Sequence, residues 1–193
     1  MPIERLPSSR GVATLRRALA GCLAVGALAL AATPGPASAQ ETLEAGVKAA
    51  YLYKFLAYVV WPAESFASGD APQVIGVMGA DDVYAELLRL VAGRQVNGHT
   101  LITKRIASGE PVEGVHALYV GRVPQAPALL ASLSGRPILT VTDTPAGLSE
   151  GSALNFVLVQ GRVRFEASLP AAERAGLKLS ARLLSVAQRV VMP

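Results

Sequence analysis

Apolar positions run almost unbroken from Leu154 to Val159, stop at Gln160-Gly161, and resume with a two-residue period. There Val163, Phe165 and Ala167 alternate with Arg162, Arg164 and Glu166. That pattern predicts a β-hairpin with one face in the core and the other charged. Downstream, Ala172, Ala175, Leu179, Leu183 and Val186 recur at three- and four-residue spacing. The period predicts a helix from about Pro170 to Val190, with Lys178, Arg182 and Arg189 outside its apolar stripe and Gly176 as a candidate point of division.

Upstream, Thr42 to Val60 is apolar nearly all round, with Glu44, Lys48 and Lys54 as its only charged points. It predicts a helix covered on most sides, supported by the Glu44–Lys48 spacing of four and ended by Trp61-Pro62. Gln73 to Gly79 is a short β-branched run, and at Asp81 the period becomes helical, with Val83, Leu87, Leu88 and Val91 as the stripe and Asp81 or Asp82 as the cap. Thr100 to Ile106, Val115 to Gly121 and Pro137 to Thr142 read as further strands, and Pro124 to Leu133 as a short helix. Strands alternating with helices predict an α/β fold: a mixed, mostly parallel sheet flanked by helices in a three-layer sandwich, with the C-terminal hairpin adding antiparallel edge strands.

The first 39 residues belong to a different class. Arg5, Arg10, Arg16 and Arg17 precede an apolar run from Ala18 to Ala32, and Pro34-Gly35-Pro36 leads to Ala37-Ser38-Ala39. This predicts a secretory signal cleaved after Ala39, a single domain over residues 40–193, and a periplasmic location. Leu19-Ala20-Gly21-Cys22 has the letters of a lipoprotein signal, but most of the apolar run follows the cysteine instead of preceding it. Four arginines and one glutamate fall in residues 1–39, so of 18 basic and 14 acidic residues 14 and 13 remain for the domain. Nearly balanced charge excludes a nucleic-acid binder. With Cys22 in the signal, no cysteine is left for a disulfide.

Candidate chemistry is sparse. Gly147-Leu148-Ser149-Glu150-Gly151 has the letters of a nucleophile elbow, but a turn precedes it, a strand follows it, and both histidines, His99 and His116, lie upstream. A tight surface loop is the expectation. Neither a metal site nor a cofactor is predicted: two distant histidines have no ligand spacing, and Gly76 and Gly79 lack the third glycine of a dinucleotide turn. Asp143, at the carboxyl end of a predicted strand, stands where open α/β sheets bind ligands. Arg162, Arg164 and Glu166 form the charged hairpin face. These four are the candidate partner- or ligand-binding residues, and no catalytic residue is predicted.

Several segments together resemble the YfiR family of periplasmic regulators. They are Lys48-Ala49-Ala50-Tyr51-Leu52-Tyr53-Lys54-Phe55 ending in Trp61-Pro62, Gly98-His99, His116-Ala117-Leu118-Tyr119-Val120, Ile138-Leu139-Thr140-Val141-Thr142-Asp143, and Arg164-Phe165-Glu166 leading to Ala175-Gly176-Leu177-Lys178-Leu179-Ser180 and Leu183-Leu184. The resemblance implies a non-enzymatic regulator that represses the periplasmic sensor domain of an inner-membrane diguanylate cyclase, and so controls cyclic di-GMP signalling and biofilm formation. It further implies an OmpA-like outer-membrane lipoprotein as the partner that relieves repression; a homodimer is left open. Redox control does not carry over, because the cysteines of the best-known member are missing here. Glu150-Gly151-Ser152-Ala153 also departs from the glycine-rich turn before the family's hairpin. A periplasmic module for a small anionic molecule, using Asp143 or the hairpin arginines, is the alternative.

Overall fold

The structure, a computed structural model, describes residues 36–193. Residues 1–35 of the predicted signal lie outside the described residues, as does Cys22, and Pro36 to Ala39 form the first turn of a helix.

That helix, α1 (Pro36–Phe55), starts six residues before the expected Thr42 and ends earlier than expected. A 3-10 turn, Leu56–Tyr58, follows, and then the two-residue strand β1 (Val59–Val60). Two β-branched residues ahead of Trp61-Pro62 favour extended backbone over another helical turn.

Next come β2 (Gln73–Met78), α2 (Asp81–Val91), β3 (Gln95–Val96), β4 (His99–Arg105), β5 (Ala117–Val120), α3 (Ala126–Ser132) and β6 (Leu139–Thr142). The N-cap of α2 is Ala80, with no side-chain capping bond. Asp81 and Asp82 occupy the first helical turn instead, where they complement the helix dipole.

The hairpin forms as the alternation predicts. β7 (Leu154–Val159) and β8 (Arg162–Ser168) pair antiparallel with Val159 opposite Arg162 and Phe156 opposite Phe165. Gln160 and Gly161 both have positive φ, 51° and 72°, as a two-residue mirror-image turn requires. Val163, Phe165 and Ala167 are buried while Arg162 and Arg164 are exposed.

The long C-terminal helix does not form. α4 (Leu169–Arg174) stops at Gly176, whose φ of +69° is left-handed, and the Leu177 amide bonds back to Ala172 O. The chain then makes β9 (Lys178–Leu179), α5 (Ala181–Ser185) and β10 (Arg189–Val191). Ser180 caps α5 by accepting from the Leu183 amide. The helical spacing survives only as a set of contacts: Ala172, Ala175 and Leu183 reach one core, whereas Val186 is 62% exposed.

The large sheet has the order β10-β8-β7-β6-β5-β2-β4-β3 and is mostly parallel. The hairpin is therefore not at the edge, since β10 lies outside β8 and parallel to it. Alternate strand residues feed two cores. Ile75, Val77, Tyr119 and Val141 face α1 and α2, while Met78, Leu118 and Val120 face α3, giving the three layers.

The Gly147 loop is structural. A Cβ there would run into both Thr142 Oγ1 and Asn155 Oδ1, the donor and the acceptor of a buried hydrogen bond. Ser149 is exposed and donates only to Ala146 O.

Both histidines pin loops. Phe66 lies stacked between them, with ring centroids 4.1 Å from His99 and 4.5 Å from His116. His116 Nδ1 accepts from the Val74 amide, which fixes the neutral tautomer with Nε2–H donating to Ser65 O. Burial and then nearby His99 hold its pKa below the ordinary value, against the Ser65 bond, which raises it. Because the unfolded chain binds the proton more readily, this contribution is complete above about pH 6.5 and is lost as pH falls below it. Urea midpoints should accordingly drop between neutral and mildly acidic pH, and His116→Gln should flatten that drop. An identical slope in the variant would rule out His116 as its origin.

Candidate functional site

The site begins with a charge in the wrong place for a solvated helix. Ala45, Lys48, Ala49, Leu52 and Phe55 fall on the inward stripe of α1, so Lys48 is only 8% exposed. Its ammonium is 2.8 Å from Asp143 Oδ2 and 2.7 Å from Glu44 Oε1. Burial alone would lower the Lys48 pKa, but the hydrogen bonds to Asp143 and Glu44 outweigh it and raise the value.

Asp143 follows the last residue of β6, at the carboxyl end of the parallel strands, as its place in the sequence predicts. Its Oδ1 is shielded from solvent without a hydrogen-bond donor, and Arg122 Nε stays 3.9 Å away. The Tyr119 hydroxyl faces the same carboxylate. Burial first, then the Asp143 charge and a hydrogen bond to Asp143, with Asp82 and Glu44 adding to them, push the phenol far above its usual range.

These groups line a cavity of about 410 Å³ where α1 crosses the ends of β2, β5 and β6. Two glycines lie in its lining where chain segments pack closely. A Cβ on Gly121 would sit 2.4 Å from Gly79 O, and Gly79 itself turns with φ +67°. The walls carry Glu41, Glu44, Asp82 and Asp143 against Lys48 and Arg122.

The other predicted residues lie elsewhere. Glu166 is engaged on both oxygens by Arg189, at 2.8 and 3.0 Å, and that pairing depresses its pKa. It belongs to a polar ladder across four strands, with Thr142, Asn155, Glu166 and Arg189 in register. Thr142 donates to Asn155 Oδ1 at 2.8 Å. Glu166 thus ties β10 to the hairpin. Arg162 and Arg164 are exposed on the same strand face, opposite Val159 and Val157, and Arg162 also borders a recess beside Leu43 and Val47 of α1. The hairpin meets the Asp143 region through Phe156, Val157, Leu158 and Val163, which border a recess beside Lys48.

Residues 45–188 match the family model described as YfiR/HmsC-like. The chain belongs to the YfiR/HmsC-like family. In this YfiR/HmsC-like domain the match begins at Ala45, within α1, and ends at Gln188, whose amide bonds to Phe165 O just ahead of β10. Its charged cluster, cavity and hairpin therefore all lie within the matched segment apart from Glu41 and Glu44. Among the described residues no helix is long and apolar enough to cross a membrane, and no three acidic, histidine or cysteine side chains are grouped to hold a metal ion.

The sequence reading missed Glu44, Lys48, Tyr119 and Arg122 as site residues. For Lys48 a signal was present: it keeps the phase of Ala45, Ala49 and Leu52, which is a core phase.

Proposed function

We propose that this chain is an exported, non-enzymatic regulator that binds the periplasmic sensor domain of an inner-membrane diguanylate cyclase and holds it inactive. Residues 1–39 serve as its cleaved signal, and an OmpA-like lipoprotein sequesters it. The observation that carries this reading is the family match over residues 45–188. The hairpin's outer face supports it. Arg162 and Arg164 are exposed beside Val157 and Val159, a combination of charge for orientation and apolar surface for affinity.

Deleting the gene should raise cellular cyclic di-GMP, and the wild-type copy should restore it. Arg162→Glu with Arg164→Glu should fold normally yet bind the sensor domain at least about tenfold more weakly, chiefly through a slower on-rate. Affinity for the purified sensor domain, measured by biolayer interferometry, checks this. Unchanged binding by a folded variant would remove the hairpin from the interface, and unchanged cyclic di-GMP on deletion would remove the regulator reading itself.

A further inference from the structure

Residues 62–72 connect β1 to β2 across the amino ends of the parallel strands, at the opposite end from Asp143. Ala63, Glu64 and Ala67 to Asp70 are exposed, whereas Ser65, Phe66 and Ala71 are half-buried. All three half-buried residues meet a histidine. Ser65 O accepts from His116 Nε2 at 3.1 Å, Ala71 O accepts from His99 Nδ1 at 2.7 Å, and the Phe66 ring fills the space between the two imidazoles. Trp61, just ahead of the loop, donates from Nε1 to His116 O at 3.1 Å.

The two histidines are not equivalent towards acid. His99 donates from Nδ1 to a carbonyl, a bond that an imidazolium keeps. His116, 7% exposed, accepts the Val74 amide on Nδ1 while donating from Nε2. An imidazolium has no acceptor, so a proton on Nδ1 would face the Val74 N–H and leave that amide without its partner. The ring has to move to relieve this, and with it go the bond to Ser65 and the Phe66 stack.

The groups that face His116 do not compensate a charge there. β2 and β6 bring Val74 and Leu139 against it, and β4 brings His99, which opposes a second cation across Phe66. On the loop, Glu64 is exposed, and Asp70 accepts from Ser68 and acts on His99. Phe66 attracts a stacked cation, but by less than a buried amide left unpaired costs. Ser65 Oγ, moreover, is shielded from solvent with no hydrogen-bond partner, and it regains water when the loop lifts.

We propose that residues 62–72 are an acid-released latch: protonating His116 frees the loop from the strand ends, exposing Phe66 and altering the surroundings of Trp61, while the sheet stays folded. Burial first and then His99 hold the His116 pKa low, against the Ser65 bond, and this sets the sign. Proton uptake is easier in the open state, so the loop stays shut above about pH 6.5 and opens progressively below it. The open-to-closed ratio rises by up to about tenfold for each pH unit. The latch does not depend on docking through the hairpin, which lies on other strands.

Trp61 is the single tryptophan of the chain and reports on the latch directly. Its emission should shift to the red between about pH 7.5 and pH 5 while far-UV circular dichroism stays constant. Over the same range, deuterium uptake by residues 62–74, corrected for intrinsic exchange, should speed up while β5 and β6 stay protected. His116→Gln keeps a donor and an acceptor but takes up no proton, and should hold both signals flat. His99→Gln should diminish the response, because the charge opposing His116 is gone. Phe66→Ala should show at neutral pH the emission that the wild type reaches only in acid. The proposal is overturned if emission and loop exchange stay constant, if they change only together with the circular dichroism, or if His116→Gln responds like the wild type. Should that variant not fold, an undiminished response in His99→Gln overturns it.

Discussion

Lys48→Met is expected to lower the unfolding free energy by about 3–5 kcal/mol, although it exchanges a lysine for an apolar residue of similar length inside a helix. Helix propensity barely changes between the two. The loss comes from what is left behind: the Asp143 side chain, 11% exposed, and Glu44, 23% exposed, would keep their charges with no counter-ion at 2.7–2.8 Å. Removing one partner of a buried pair costs far more than the pair contributes against an apolar replacement, because the survivor remains desolvated. Lys48→Met combined with Asp143→Leu should therefore recover most of the stability that Lys48→Met loses. Urea unfolding of the four proteins in the cycle measures the coupling. Additive losses would show that the two side chains are not energetically joined. Because partners raise the Lys48 pKa above its unfolded value, the contribution is complete at neutral pH and should disappear only as pH rises beyond about 10.4.

That ion pair also marks the limit of what periodicity can reveal. The strands and the hairpin were legible because a two-residue alternation has one geometric meaning when one face is buried: Val163, Phe165 and Ala167 had to point together. The helix expected over Pro170 to Val190 shows the opposite case. A three- and four-residue spacing of apolar groups arises equally when two short helices, separated by a left-handed glycine, each send one or two side chains into the same core. Gly176 carried the information, but spacing alone gives a glycine no weight against five apolar matches. The position of β10 was not readable at all, since its partner in register, Glu166, pairs with Arg189 across a gap of 23 residues.

The candidate site divides along the same line. Asp143 was findable, since the end of a parallel strand is a topological location that the element order fixes. Its partners were not, because they come from α1 and from the residues after β5, and no local pattern states that α1 crosses the carboxyl ends of the strands. Glu166 was grouped with Arg162 and Arg164 by strand parity alone. Parity identified the face correctly, but did not separate a side chain fixed in a ladder from two that reach solvent.

Phe165→Ala should be the most destructive single change in the hairpin. Its ring is 2% exposed and sits 4.9 Å from Phe55 and 5.7 Å from Tyr51 in edge-on contacts, and Phe55 in turn stacks on Phe156 at 5.8 Å. One residue therefore holds β8 to both α1 and β7. Truncation removes the buried ring and leaves a cavity between elements that cannot close on each other, at a cost of about 3–5 kcal/mol and about 10 °C in Tm. Phe165→Leu, which keeps most of the apolar volume, should lose no more than about 1.5 kcal/mol. The leucine variant also separates folding from docking. Residue 165 faces α1 while Arg162 and Arg164 face outward from the same strand, so Phe165→Leu should bind the sensor domain as the wild type does while melting earlier. The charge-reversed pair should do the reverse, keeping its Tm and losing its partner. If Phe165→Leu lost affinity while still folded, the interface would have to include the α1 side of the hairpin, and Leu158 and Leu43, both more than half exposed there, would become the next residues to replace.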